Sequence, residues 1–129
     1  MSIEDEMTII IEGHAKIPSK KNRMKFGKGK CYKDSGVKNF ENYLGLIAKK
    51  AMIQQKKKLF ETPVRMTLSV TFGDRRRRDL QNSFGSICDA LNGIVYQDDH
   101  LIHEIIASKH FKKKVWSFQI KIEEMTEKN

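Results

Sequence analysis

A chain of 129 residues is long enough to bury one hydrophobic core and short for two, so a single domain is expected. Its 25 Lys+Arg against 16 Asp+Glu give a formal charge of +9, which draws polyanions and releases their counterions on contact. Nucleic acid is therefore the leading partner, against a basic protein that is merely soluble.

No apolar run approaches the roughly 20 residues that cross a bilayer, and the acidic start Met1-Ser2-Ile3-Glu4-Asp5-Glu6 is unlike a basic signal peptide, which predicts a soluble, intracellular chain without a membrane partner. Residues 1–6 read as a disordered N-terminal extension. Met7, Ile9 and Ile11 then alternate with Thr8, Ile10 and Glu12 as a first strand, punctuated by Gly13 and Pro18. The following stretch holds Lys20, Lys21, Arg23, Lys25, Lys28 and Lys30; self-repulsion and two glycines argue against a rigid structure there without a polyanion. From Asp34 to about Lys57, Val37, Phe40, Leu44, Ile47, Ala48 and Ala51 recur at helical spacing. After Pro63, Val64, Met66, Leu68, Val70 and Phe72 alternate with Arg65, Thr67, Ser69 and Thr71, the clearest strand in the sequence.

Gly73 turns the chain into Asp74 and four arginines, Arg75 to Arg78. Asp79 then stands at the N-cap position of a helix whose apolar face is Leu80, Phe84, Ile87, Cys88 and Leu91, with Asn92-Gly93 as its stop. Ile94-Val95-Tyr96 reads as a short strand running into Asp98-Asp99. Two last strands, about Leu101 to Phe111 and Val115 to Glu123, read as a hairpin around Lys112-Lys113-Lys114, whose turn lacks the usual glycine. The sum is a single α+β domain with a mixed sheet of about four or five strands and two main helices. Cys31 and Cys88 have neither zinc-site nor disulfide spacing and read as free thiols.

Chemistry concentrates around Asp79. Arginine forks bind phosphates bidentately and a helix N-terminus adds a positive field, so Arg75, Arg76, Arg77 and Arg78 can hold a nucleic-acid backbone, where the bland reading is a solvated charged turn. Asp89 lies roughly 15 Å along the helix from Asp79 and cannot share a metal with it. A strand returning from Gly93 covers roughly 16 to 20 Å in five or six residues and brings Asp98 and Asp99 to the level of the helix start. There Asp79 with Asp98 or Asp99 could bind one or two Mg2+ ions for phosphodiester hydrolysis; the competing readings are an N-cap for Asp79 and an ordinary turn for Asp98-Asp99. His14, His100, His103 and His110 form no zinc motif and read as structural or solvent-exposed, His100 or His103 within a strand. No phosphate-binding glycine loop with Lys and Ser/Thr, and no paired nucleophile and base, is present.

Three segments in order, Asp74-Arg75-Arg76-Arg77-Arg78-Asp79-Leu80-Gln81-Asn82, Asp89-Ala90-Leu91-Asn92-Gly93 and Asp98-Asp99-His100-Leu101-Ile102, resemble RusA-type Holliday-junction resolvases. More loosely the resemblance runs from Ile9 through Pro18-Ser19-Lys20-Lys21-Asn22-Arg23 to about Ile122. It implies a homodimeric, Mg2+-dependent endonuclease, with Mn2+ able to substitute, encoded by bacteria or their prophages. Such enzymes act in recombination and repair, cutting four-way junction DNA symmetrically. The family's metal-binding aspartates fall at Asp79, at Gln81 and at Asp99, with Asp98 as support, and a family lysine falls at Gly85. Gln81 brings an oxygen without a charge, and hard dications depend on carboxylates. Three readings stay open: Asp98 or Asp74 completes the site, the enzyme works with a depleted site, or the protein binds junctions without cutting. A structural RNA-binding protein is the further alternative, disfavoured because no exposed aromatic motif for stacking bases stands out.

Overall fold

Alternation of branched apolar and polar residues makes Val64–Phe72 (β4) the strand on which the sheet is built: Val64, Met66, Leu68, Val70 and Phe72 are all buried, and the residues between them are half-buried. The computed structural model describes residues 8–18, 24–27, 30–33, 35–76 and 79–125, with the side chains of 24–27 and 30–33 excepted; the expected extension at 1–6 lies outside them. The other elements are β1 (Thr8–Gly13), β2 (Met24–Gly27), β3 (Lys30–Lys33), α1 (Ser35–Gln54), α2 (Phe84–Leu91), β5 (Ile102–Phe111) and β6 (Ser117–Glu124), with 3-10 turns at Leu80–Ser83 and Asp99–Leu101.

The main sheet is four-stranded in the order β1-β6-β4-β5. β6 runs antiparallel to both β1 and β4, and β5 runs parallel to β4. Pairing sets Ile11 opposite Ile120 and Leu68 opposite Ile120, so one face of three strands is continuous hydrocarbon. Onto it α1 lays Val37, Phe40, Leu44, Ala48 and Ala51, and α2 lays Ile87, Ala90 and Leu91. The two helices also pack on each other. This is a single small α+β domain with a mixed sheet and two helices, as the periodicities predict.

The expected hairpin is overturned. β5 and β6 are not neighbours, because β4 lies between them with both edges hydrogen-bonded. The three-lysine turn instead arches over the end of β4: Lys112 N–H donates to the Phe72 carbonyl (3.0 Å) and Lys114 N–H to that of Gly73 (2.8 Å). Lys114 itself takes the left-handed backbone, φ 62, in place of the missing glycine. Trp116 packs so closely on Gly73 that a Cβ there would lie 2.4 Å from its Nε1.

Ile94-Val95-Tyr96 is likewise a turn and not a strand. The amides of Ile94 and Val95 both donate to Leu91 O, and Gly93 N–H to Tyr96 O, so the chain curls at once after α2 with Gly93 at φ 76. Tyr96 carries the residual extended character in isolated bridges to Phe60 and Asn92. In the basic stretch read as lacking rigid structure, backbone pairing joins β2 and β3 into a two-stranded antiparallel ribbon.

At the sheet's far edge Gly13 is required by a close approach. A Cβ at this position would lie 2.3 Å from Cζ of Phe118, whose ring is buried and stacked edge-on against Phe40 at 5.9 Å. Gly13→Ala is expected to lower the stability by about 1–3 kcal/mol through overpacking. Denaturant titration measures it, and an unchanged midpoint would show that the ring yields freely.

Candidate functional site

The crossover from β4 to β5 carries the residues of interest. Asp79 has extended backbone, and its Oδ1 accepts from Gln81 N–H at 3.1 Å while its carbonyl accepts from Asn82 N–H at 3.1 Å. It is the N-cap that its position predicts, although the segment it caps begins as the 3-10 turn Leu80–Ser83 before α2 follows. One carboxylate oxygen is thus fixed on the backbone. Gln81 is exposed on the same turn.

Asp98 caps the second 3-10 turn. Its Oδ2 accepts from His100 N–H at 3.3 Å and meets His100 Nδ1 at 2.6 Å. The imidazole hydrogen bond, reinforced by the backbone amide, holds the Asp98 carboxyl below the usual carboxylate range. Asp99 follows at the first position of the turn, half-buried. Behind it Tyr96 is fully buried and donates its hydroxyl to the Cys88 carbonyl of α2 at 2.8 Å. Burial, with Cys88 and the Asp99 and Asp98 carboxylates adding to it, pushes that phenol far above its ordinary value; it acts as a neutral donor tying this turn to α2. Cys88 is a half-buried thiol.

The turn after Asp79 packs against β5, and β5 begins directly after the Asp99–Leu101 turn. Among the described residues, no group of three or more His, Cys, Asp and Glu side chains could hold a metal ion; such a group leaves out the Gln81 amide. The donors offered by Asp79, Asp99 and Gln81 are all oxygen, which suits a hard dication, with two charges in place of three. Asp74 accepts from Arg76 N–H at 3.2 Å.

Of the cations, Arg75 and Arg76 are exposed, and the Arg75 guanidinium lies 4.3 Å from the centre of the Phe111 ring. Lys25 lies in β2 and Lys30 in β3; Arg77, Arg78, Lys20, Lys21, Arg23 and Lys28 are outside the described residues. The root of the basic stretch is nonetheless located: Ser86 Oγ donates to the Pro18 carbonyl at 3.4 Å, next to Gly85 on α2.

Two features escape the sequence reading. His100 belongs to a turn and not to a strand, and its ring is paired with Asp98; the Asp-x-His spacing was the available signal. Arg75 on Phe111 joins residues far apart in the chain, and no local pattern announces it.

The result is a basic α+β domain whose capping aspartate and exposed arginines share one crossover. Residues 15–123 match the family model for the endodeoxyribonuclease RusA, and the chain belongs to that family. Comparison with curated proteins returns no match.

Proposed function

We propose that the protein resolves four-way DNA junctions by metal-dependent phosphodiester hydrolysis, as a homodimer, in the cytoplasm of a bacterium or on behalf of its prophage, in recombination and repair. Asp79 and Asp99 would hold Mg2+ or Mn2+, with the Gln81 amide oxygen as a weaker third donor and Asp98 supporting the turn. The metal, when bound, polarises the scissile phosphate and offsets its charge.

The observation that carries this reading is the Asp79 cap. One carboxylate oxygen is fixed by the Gln81 amide, leaving the other for a ligand, four residues beyond an exposed arginine stacked on Phe111. Water is the nucleophile. Arg75 to Arg78 hold the phosphates beside the scissile bond. Lys20 to Lys30 would contact a neighbouring arm, and the residue at the start of this stretch, Pro18, is hydrogen-bonded to Ser86 of α2. The junction's approximate two-fold symmetry is met by a two-fold dimer with one site for each of two opposed strands.

The test is a synthetic four-way junction incubated with Mg2+ or Mn2+. Paired, symmetric nicks are expected, with little cutting of a linear duplex; indiscriminate cutting of both would overturn junction resolution. The rival reading, a junction-binding protein that does not cut, is favoured by Gln81 and by the missing lysine at Gly85. It requires tight junction binding with cleavage at background.

In the described residues no helix is long and apolar enough to cross a membrane.

A further inference from the structure

We infer that the Lys112-Lys113-Lys114 turn is a second phosphate-binding element, continuous with Arg75 and Arg76, so that DNA crosses the C-terminal end of β4 on its way to Asp79. The inference rests on the DNA-binding reading above.

Read as a hairpin turn, these lysines would simply keep an exposed loop soluble. The topology gives them another location. Because β4 separates β5 from β6, the turn must pass over the end of β4, where the amides of Lys112 and Lys114 bond to Phe72 and Gly73. The arginine loop leaves β4 from that same point. The two basic segments, distant in sequence, are therefore neighbours at one end of the sheet.

Aromatic rings organise the cations there. Arg75 lies over Phe111, which directly precedes Lys112, at 4.3 Å. Lys16 sits over Trp116 at 4.7 Å, and Trp116 packs edge-on against Phe72 at 6.2 Å. A guanidinium placed over a ring keeps N–H donors for a further partner, which suits capture of a phosphate. Phe111 remains 42% exposed, too open for a ring serving only the core. Lys112, Lys113 and Lys114 are all exposed, and among the described residues none of them has an ion-pair partner. The nearby carboxylate, Asp74, accepts from the Arg76 amide.

The chain supplies its own control. Lys56-Lys57-Lys58 is a second three-lysine segment, and Lys56 has the same left-handed backbone, φ 56, as Lys114, φ 62. It lies at the opposite end, before β4 begins, in a concave surface shared with Glu61 and Glu124. The nine residues of β4 separate the two ends by about 26 Å.

Two triple variants remove equal charge: Lys112→Gln with Lys113→Gln and Lys114→Asn, and Lys56→Asn with Lys57→Gln and Lys58→Gln. Asparagine tolerates the left-handed position in each. Binding of a fluorescent four-way junction and of a linear duplex is measured by anisotropy, with EDTA present, from about 50 to about 200 mM salt. For the first variant the slope of log affinity against log salt should flatten by about 2 to 3, near 0.9 for each phosphate that is no longer neutralised. The wild type then gives up about 40-fold more affinity than this variant over that range. The second variant should keep the wild-type slope. Equal flattening in both would reduce the effect to net charge and overturn the inference, as would an unchanged slope in the first. A wild-type protein that binds neither DNA would instead overturn the DNA-binding reading itself.

Discussion

Asp79→Asn and Asp99→Asn are each expected to lower junction cleavage by at least about a hundredfold while leaving junction binding close to wild type. Removing even an indirect partner of a metal ligand typically costs 10- to 100-fold, so loss of a ligating charge should cost no less. Neither substitution touches the arginines or the lysine turn, so the salt-dependent part of binding remains. The folded structure supplies a control for Asp79 in particular. Its Oδ1 accepts from Gln81 N–H, and an asparagine oxygen can do the same. Asp79→Asn should therefore change stability by only a few tenths of a kcal/mol, whereas Asp79→Ala, which loses the cap, should cost about 1 kcal/mol. Thermal unfolding of the three proteins beside their cleavage rates separates the roles. If cleavage follows the cap, surviving in Asn and falling in Ala, Asp79 is a structural residue and the metal assignment fails. If both variants are inactive and only Ala is less stable, the carboxylate charge is what matters.

Local patterns carried most of the fold. Alternation in Val64–Phe72 and helical spacing from Val37 to Ala51 gave β4 and α1, because the face an element buries is a property of its own period. Asp79 and Gly93 were legible as cap and stop for the same reason. What failed was the choice of partner. Nearness in sequence made β5 and β6 look like a hairpin, yet β5 returns through the crossover to pair parallel with β4 and leaves β6 on the far side. Ile94-Val95-Tyr96 has strand composition, but Tyr96 is buried and bonded to the Cys88 carbonyl, and the backbone curls to allow it. The candidate site divides along the same line. Asp79 and Gln81 meet because they share one turn, and a residue spacing can show that. The stacking of Arg75 on Phe111 and the approach of the lysine turn to the arginine loop depend on the strand order, which no short segment encodes.

Gln81→Asp is the substitution expected to raise activity. In the present chain the turn after Asp79 presents a carboxylate and an amide, and the family pattern has carboxylates at both positions. Position 81 lies on the capped turn, its backbone amide 3.1 Å from Asp79 Oδ1, so an aspartate there is held beside Asp79 with one methylene less of reach. In the apo protein the two carboxylates repel, which should raise one of their pKa values and cost a little stability. Positive potential at the start of the turn and of α2 partly relieves this. A bound dication reverses the balance, because charge count is the main lever on affinity for hard cations. Mg2+ or Mn2+ affinity is therefore expected to rise about tenfold or more, with faster junction cleavage. Calorimetry and a cleavage assay on both forms distinguish three cases. Tighter metal binding with faster cutting means that the site is depleted and Gln81 is the cause. Tighter metal binding with cleavage still at background means that the defect lies elsewhere, with the absent lysine at Gly85 the first place to look. Unchanged or weaker metal binding in an already active wild type means that another carboxylate completes the site. Asp74 and Asp98 are each engaged by a backbone amide, of Arg76 and of His100, and Asp98 also by the His100 ring. Those bonds use one carboxylate oxygen of each, Oδ1 of Asp74 and Oδ2 of Asp98, as the Gln81 amide uses one of Asp79; the first outcome is expected because the family pattern places a carboxylate at position 81.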